Sequence, residues 1–366
     1  MNSYQKTLQK REEQHLLRKL PPVSDGIDFF SNDYLGFAGD QKLHQKITER
    51  AARRADGNGS TGSRLLSGNN DYKEQIEQEI ADFHEVEAAL VYPSGYAANI
   101  GLISSLATRE TTLILDELVH ASLIDGARLG KSTRKVFKHN DCEDLEKLLQ
   151  STSGQKLVII ESIYSMDGDT SPIAEMIKMC KKHDAFLLVD EAHGVGVFGD
   201  KGEGLLQQQR LHKEVLARII TYGKAPGIHG ASVVGPRWLK EYQVNFSRSL
   251  IFSTAPDDTH FTAISAMYSH MEQAVEQREK LRDVVRYFIG KREKSKGVWL
   301  DSRSHIQSLI VAGNSEVITL SDRLRTAGLN ALPIRKPSVP EGQERIRICL
   351  HAYNTEDEID LLFNTL

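Results

Sequence analysis

Phe186-Leu187-Leu188-Val189-Asp190-Glu191-Ala192-His193-Gly194 sets four apolar residues directly before two carboxylates, a histidine and a glycine. An apolar run without alternation is what a strand buried on both faces of a parallel sheet requires. The switch to charge at Asp190 marks the strand's C-terminal end, the edge at which α/β sheets bind ligands. Residues 88–92, 112–115, 157–161, 218–222 and 231–235 read as further strands of this kind, with helical sequence between them. One of those helices opens on a capping-box pattern, Asp71 and Glu74, and carries Ile76, Ile80 and Phe83 on its apolar face. Strand–helix alternation of this kind predicts an α/β fold, a mostly parallel sheet covered on both sides.

Outward from this region the pattern changes. From about residue 257 the sequence is helical and charged through Arg292. Strand-like pieces follow at 298–300 and 308–311, then a helix near 316–328 and a strand at 345–350. The first twenty residues are polar with leucines at Leu8, Leu16, Leu17 and Leu20, which predicts an amphipathic helix ending at Pro21-Pro22. The expected division is an N-terminal segment, 1–45, that packs with the small domain, a large domain at 46–256 and a small α+β domain at 257–366.

Composition narrows the function classes. The 366 residues carry 46 Lys and Arg against 50 Asp and Glu, a net charge of -4, which leaves no electrostatic footprint for nucleic acid. No apolar run approaches a bilayer span. Cys142, Cys180 and Cys349 are odd in number and far apart, which suits a reducing cytoplasm rather than a disulfide framework, and they form no zinc pattern. The N-terminus lacks an apolar signal core, and Glu12 and Glu13 argue against a transit peptide. A cytoplasmic enzyme is the expectation.

Chemistry concentrates at strand ends. In Thr221-Tyr222-Gly223-Lys224-Ala225-Pro226-Gly227, Lys224 stands where a buried strand stops, and a neutral lysine there forms a Schiff base with an aldehyde. A lone lysine between glycines is more often an exposed loop residue. Asp190 needs a cationic partner, since an unpaired buried charge is costly, and the protonated ring nitrogen of pyridoxal phosphate (PLP) is one. His193 stands three residues on. A magnesium-binding strand end is the competing reading of this segment, but it needs a P-loop. Gly130-Lys131-Ser132 has Asp125 where the leading glycine belongs.

Ser94-Gly95-Tyr96-Ala97-Ala98-Asn99 is a strand–turn–helix junction whose backbone N–H groups suit a phosphate. His120 occupies another strand-to-helix turn. Gly57-Asn58-Gly59-Ser60-Thr61-Gly62-Ser63-Arg64 is dense in glycine and hydroxyls, as ligand-approaching and flexible loops both are. It also satisfies the Gly-x-Gly-x-x-Gly spacing of nicotinamide-dependent dehydrogenases, but no buried strand runs into it. Ser165-Met166-Asp167-Gly168-Asp169 also reads as a plain turn.

Taken in order, these motifs resemble those of the α-oxoamine synthases, PLP-dependent enzymes of aminotransferase fold type I. The resemblance runs from Phe29-Phe30-Ser31-Asn32-Asp33-Tyr34-Leu35-Gly36 through residues 59–68, 94–99, 120–122, 165–169, 190–194 and 221–227, and on through Phe252-Ser253-Thr254-Ala255 to Arg345-Ile346-Arg347. It implies a large domain with a mostly parallel seven-stranded sheet, a smaller α+β domain, PLP as cofactor and a homodimer with shared active sites.

Carried over by position, the resemblance makes Lys224 the Schiff-base lysine and Asp190 the pyridinium partner. His193 hydrogen-bonds the ring oxygen and His120 stacks on the ring face. Gly95 and Tyr96 line the cofactor through their backbone, Ser165 and Thr221 give hydroxyls, and Thr254 serves the neighbouring subunit's phosphate. Asn32 and Arg347 match the positions that hold the amino acid's carboxylate. Arg335 matches a substrate segment in which Lys336 and the candidate contact Ser338 are substituted, and Arg18 matches an arginine that meets the acyl substrate. Pro226 departs from the small or apolar residue more common there.

The implied reaction is a decarboxylating condensation of an amino acid with an acyl thioester. Ser94-Gly95-Tyr96-Ala97-Ala98-Asn99 is similar to members that join alanine to a pimeloyl thioester in biotin synthesis. Members that take serine and a palmitoyl thioester, or that form 2-amino-3-ketobutyrate, stay as alternatives. From another class, so does a catalytically silent partner subunit of the same fold.

Overall fold

The computed structural model of the chain describes residues 2–18, 20, 25–53 and 58–366. Gly57 and the helix end expected at Pro21-Pro22 lie outside the described residues. In chain order the strands are β1 (Ile27–Asp28), β2 (Ala88–Tyr92), β3 (Thr111–Asp116), β4 (Thr133–Phe137), β5 (Gln155–Glu161), β6 (Ala185–Asp190) and β7 (Ala217–Thr221). They continue with β8 (Ala231–Gly235), β9 (Val298–Trp299), β10 (Ile306–Ile310), β11 (Leu329–Asn330), β12 (Leu332–Ile334) and β13 (Arg345–Cys349).

Two compact units divide the described chain. The larger holds Leu35–Tyr164 and Thr170–Arg278. Its seven-stranded sheet has the order β2-β8-β7-β6-β5-β3-β4, parallel throughout except for β8, which runs against both neighbours. β2 and β7 are buried along their whole length, and β5 at every residue but Gln155, which is why their sequences are nearly continuous Val, Ile, Leu and Ala. β4 was not readable as a strand: Thr133, Arg134 and Val136 are exposed, as an edge strand allows. Leu102, Leu113, Leu123, Ile159, Leu188 and Ile219 belong to one apolar cluster between this sheet and its helices.

Helix ends adjust two expectations. The helix Asp71–Phe83 is capped by Asn70, whose side chain accepts from Lys73 N–H at 3.0 Å. Asp71 and Glu74 fall instead in the first turn, where Glu74 meets Arg64 and Lys240. The helix Asp258–Glu272 belongs to the larger unit, because Phe261, Ile264 and Met267 are buried on the side that meets the helices Gln41–Ala52 and Asp71–Phe83. The division therefore falls after Arg278 rather than after residue 256.

The smaller unit comprises the described residues through Tyr34, Ser165–Asp169 and Glu279–Leu366. An antiparallel sheet of order β12-β13-β10-β9 forms its centre, and the N-terminal β1 pairs in parallel with β11. The helix Ser3–Glu13 stops short of the predicted end, so of the expected leucine stripe only Leu8 lies on it, exposed, while Leu16 and Leu17 follow it half-buried.

Candidate active site

In the larger unit, a cavity of about 200 Å³ is lined by Asn99, His120, Glu161, Asp190, His193, Thr221 and Lys224. Parallel register sets Glu161 of β5 directly beside Asp190 of β6. Both carboxylates are buried. Asp190 Oδ1 accepts Ala192 N–H at 2.9 Å, and Oδ2 accepts Asn99 Nδ2 at 2.8 Å. No salt bridge reaches Asp190 among the described residues.

Asn99 Nδ2 also donates to Ser122 Oγ at 2.9 Å, and Ser122 Oγ stands 2.7 Å from His120 Nδ1. His120 caps the helix Ala121–Leu129, its Nδ1 accepting Ser122 N–H. Nδ1 is thus an acceptor, and neutral His120 carries its proton on Nε2. Burial holds His120 below the usual histidine range, the Asp190 charge opposing and the Lys224 charge adding to the shift. Burial, then the Asp190 charge, pushes Glu161 well above the usual carboxylate range. Glu161 Oε1 accepts the His120 N–H. Gly126 makes this geometry reachable: a Cβ there would stand 2.9 Å from Ile103 Cβ and 3.0 Å from Asn99 O, so only glycine lets the two helices approach.

The cavity's other wall is the start of the helix Gly95–Leu106. Ser94 caps it, its Oγ accepting Ala97 N–H at 3.2 Å. The N–H groups of Gly95 and Tyr96 find no acceptor among the described residues, as first-turn donors do until an anion arrives. A Cβ at Gly95 would lie 2.6 Å from Thr221 Cγ2, so helix start and Thr221 are in contact. The donor set fits PLP: unsatisfied N–H groups and a hydroxyl for a phosphate, a buried carboxylate without a cation for a ring nitrogen, and a half-buried lysine in the same cavity.

Within the smaller unit, Arg347 is buried on β13 among neutral groups. Its Nε donates to Ser165 O at 2.6 Å and its Nη2 to Asn32 Oδ1 at 3.0 Å, with the Tyr34 hydroxyl at 3.4 Å. Among the described residues no carboxylate pairs with Arg347, whereas Arg345 two positions earlier is paired with Asp167 at 2.6 Å. A buried guanidinium surrounded by neutral acceptors is a ready partner for a carboxylate. Nearby in the chain, Arg335 donates to His15 O, and Arg18 reaches Ser338 Oγ at 3.5 Å. Burial, then the Arg18 charge, draws Arg335 below the usual arginine value.

Sequence-predicted residues therefore fall into two groups. Gly95, Tyr96, His120, Asp190, His193, Thr221 and Lys224 line the cavity, with the Tyr96 side chain turned to Asp125 at 3.0 Å. Arg18, Asn32, Ser165, Arg335, Ser338 and Arg347 belong to the smaller unit. Ser165 offers its carbonyl to Arg347 and is not among the residues lining the cavity. Thr254 is exposed and likewise outside the cavity lining. Glu161, Ser122 and Tyr34 had no assigned role in the sequence. Asn99 closed a quoted motif, but nothing in the spacing indicated that its amide would join Asp190 to Ser122.

The family model for aminotransferase class I and II matches residues 24–366. The chain is 36% identical over 377 residues to an 8-amino-7-oxononanoate synthase of Lysinibacillus sphaericus, covering 99% of this chain and 96% of that one. It is 38% identical to an 8-amino-7-oxononanoate synthase of Pectobacterium atrosepticum, with 93% and 88% covered. Among solved structures, serine palmitoyltransferase from S. paucimobilis with bound PLP-myriocin aldimine superposes with a TM-score of 0.90 at 27% identity, covering 100% of this chain and 96% of that one.

Proposed function

Because the chain belongs to the aminotransferase class I and II family, we propose that it is a PLP-dependent acyltransferase that condenses L-alanine with pimeloyl-CoA, or a pimeloyl carrier protein, to 8-amino-7-oxononanoate. Carbon dioxide and the free thiol are the other products, and the step belongs to biotin synthesis. The carrying observation is the single cavity that groups Lys224, Asp190, His120 and His193 with the open helix start at Gly95, in a chain similar over nearly its whole length to named 8-amino-7-oxononanoate synthases.

PLP, when bound, supplies a sink for the electron pair left at the amino acid's α-carbon. Lys224 would hold the cofactor through its side-chain amine and would act as the base that takes the amino acid's α-proton. Asp190 keeps a proton on the cofactor's ring nitrogen, and Asn99 keeps the Asp190 carboxylate in place for that task. His120 and His193 line the cavity that would hold the ring, where His120 would pack against it and His193 would donate to its oxygen and position the incoming acyl carbonyl. Arg347, with Asn32, takes the amino acid's carboxylate; a planar fork suits it better than a lysine's point charge. Arg18, Arg335 and Ser338 serve the acyl substrate, Thr221 contributes a hydroxyl, and Ser165 holds Arg347 through its carbonyl.

The working unit in this reading is a homodimer, in which Thr254 serves the partner's cofactor phosphate. Exposed Leu65, Leu66 and Phe252, close in sequence to the segment where Ala255 N–H meets Gly62 O, support it. Among the described residues, no helix is long and apolar enough to cross a membrane.

The test is thiol release by the PLP-loaded protein, with alanine, serine and glycine crossed with pimeloyl, palmitoyl and acetyl thioesters. Turnover confined to alanine with the pimeloyl thioester, with 8-amino-7-oxononanoate found by mass, is the expected result. Preference for serine with the palmitoyl thioester would overturn the substrate assignment and keep the chemistry.

A further inference from the structure

His229 lines the same cavity as Gly95, Thr221 and Gly223 and takes no part in the proton movements above. The segment after Thr221 folds back on itself. Gly227 N–H donates to Lys224 O at 2.8 Å, Ile228 N–H to Tyr222 O at 3.0 Å, and Tyr222 N–H to Gly230 O at 2.9 Å. Thr221 then pairs in register with Ala231. This closure returns position 229 to the cavity that Thr221 and the helix start also line.

The His229 ring is exposed and, among the described residues, makes no hydrogen bond or ion pair. Its neighbour is the His260 ring, edge-on at 5.8 Å. His260 is largely buried, which holds it at about 4, so at neutral pH it brings no charge. The phosphate end is otherwise poor in positive charge. Gly223 has no side chain to donate, no arginine lines the cavity among the described residues, and Lys224, His120 and His193, its other basic side chains, have roles in the reading above. A phosphate monoester approaches two negative charges at neutral pH and asks for a charged donor beyond two N–H groups, the Thr221 hydroxyl and, in the dimer reading, the partner's Thr254.

We propose that His229 is a further ligand of the cofactor's phosphate, its imidazole N–H completing the set begun by Gly95, Tyr96 and Thr221. The assignment rests on the reading that PLP occupies this cavity.

Titrating the cofactor-stripped protein with PLP and with pyridoxal, which lacks the phosphate, tests it without recourse to turnover. His229→Ala is expected to raise the Kd for PLP about tenfold, the scale of one charge-assisted hydrogen bond, and to leave pyridoxal unaffected. His229→Gln, which keeps an N–H donor, should fall between. Unchanged PLP affinity in His229→Ala, or equal losses for both compounds, would overturn the assignment. So would unchanged PLP affinity with a raised KM for the acyl thioester, which would place the imidazole on the carrier's phosphates. Wild-type protein that takes up neither compound would contradict the cofactor reading itself, and this assignment with it.

Discussion

Asn99 Nδ2 donates to Asp190 Oδ2 at 2.8 Å, and this bond ties the acid at the end of β6 to the helix whose first turn leaves the Gly95 and Tyr96 N–H groups open. In the proposed reading, one element thus serves both ends of the cofactor. With Ala192 N–H on its other oxygen, the Asp190 carboxyl group is fixed from both sides.

Asp190→Asn removes the charge and keeps the shape. Turnover should fall on the order of a hundredfold or more, because the ring nitrogen then loses the charge that keeps it protonated. Thermal unfolding should move little. Steady-state rates and a melting curve check both, and normal turnover would remove Asp190 from its role.

Arg347→Lys separates substrate recognition from cofactor binding. A lysine cannot reach Ser165 O, Asn32 and a carboxylate from one planar fork. KM for the amino acid should rise about ten- to a hundredfold, as for the loss of a charge-assisted bond, with PLP affinity unchanged. A matching loss of PLP affinity would count against a carboxylate site.

Gly95→Ala tests that helix start as a phosphate cradle. The added Cβ meets Thr221 Cγ2 at 2.6 Å, so either the helix start or the threonine must shift. The Kd for PLP should increase about tenfold, in line with overpacking costs of roughly 1–3 kcal/mol. Titration by cofactor absorbance reads this, and an unchanged Kd would show that the cradle lies elsewhere.

His305 gives the fold a pH signature. Burial, with the charges of Arg347 and His351 adding, holds it at about 3 against an ordinary 6.5. The folded value lies below the unfolded one, so the unfolded chain takes up the proton first as pH falls. This contribution to stability is complete above about pH 6.5 and is lost progressively toward pH 3, at up to ~1.4 kcal/mol per pH unit. His305→Phe should show a shallower fall in denaturant midpoint between pH 6 and pH 4. Identical slopes would refute the assignment.

Much of this was legible in the sequence. β2 and β8 fell on the stretches predicted for them, because strands buried on both faces leave unbroken apolar runs. β4 was missed, since Thr133, Arg134 and Val136 face solvent and carry no such run. The cap at Asn70 was displaced by one residue, because Asp71 and Glu74 satisfy the same pattern that Asn70 fulfils in space. Lys224, Asp190 and His120 each stood at a strand end, where function concentrates. Glu161 also ends a strand, but only the parallel register sets it beside Asp190. Tyr34 and Arg347 are more than 300 positions apart, and no spacing rule joins them.

The central claim is that Lys224 moves the α-proton of an amino acid held by this chain. Proton NMR of L-alanine in D2O with PLP-loaded protein reads that step without any thioester. Wild-type protein should exchange the α-proton for deuterium, and Lys224→Ala, although it still takes up PLP, should not. Exchange by Lys224→Ala at the wild-type rate, or none by wild-type protein that has bound both PLP and alanine, would contradict it.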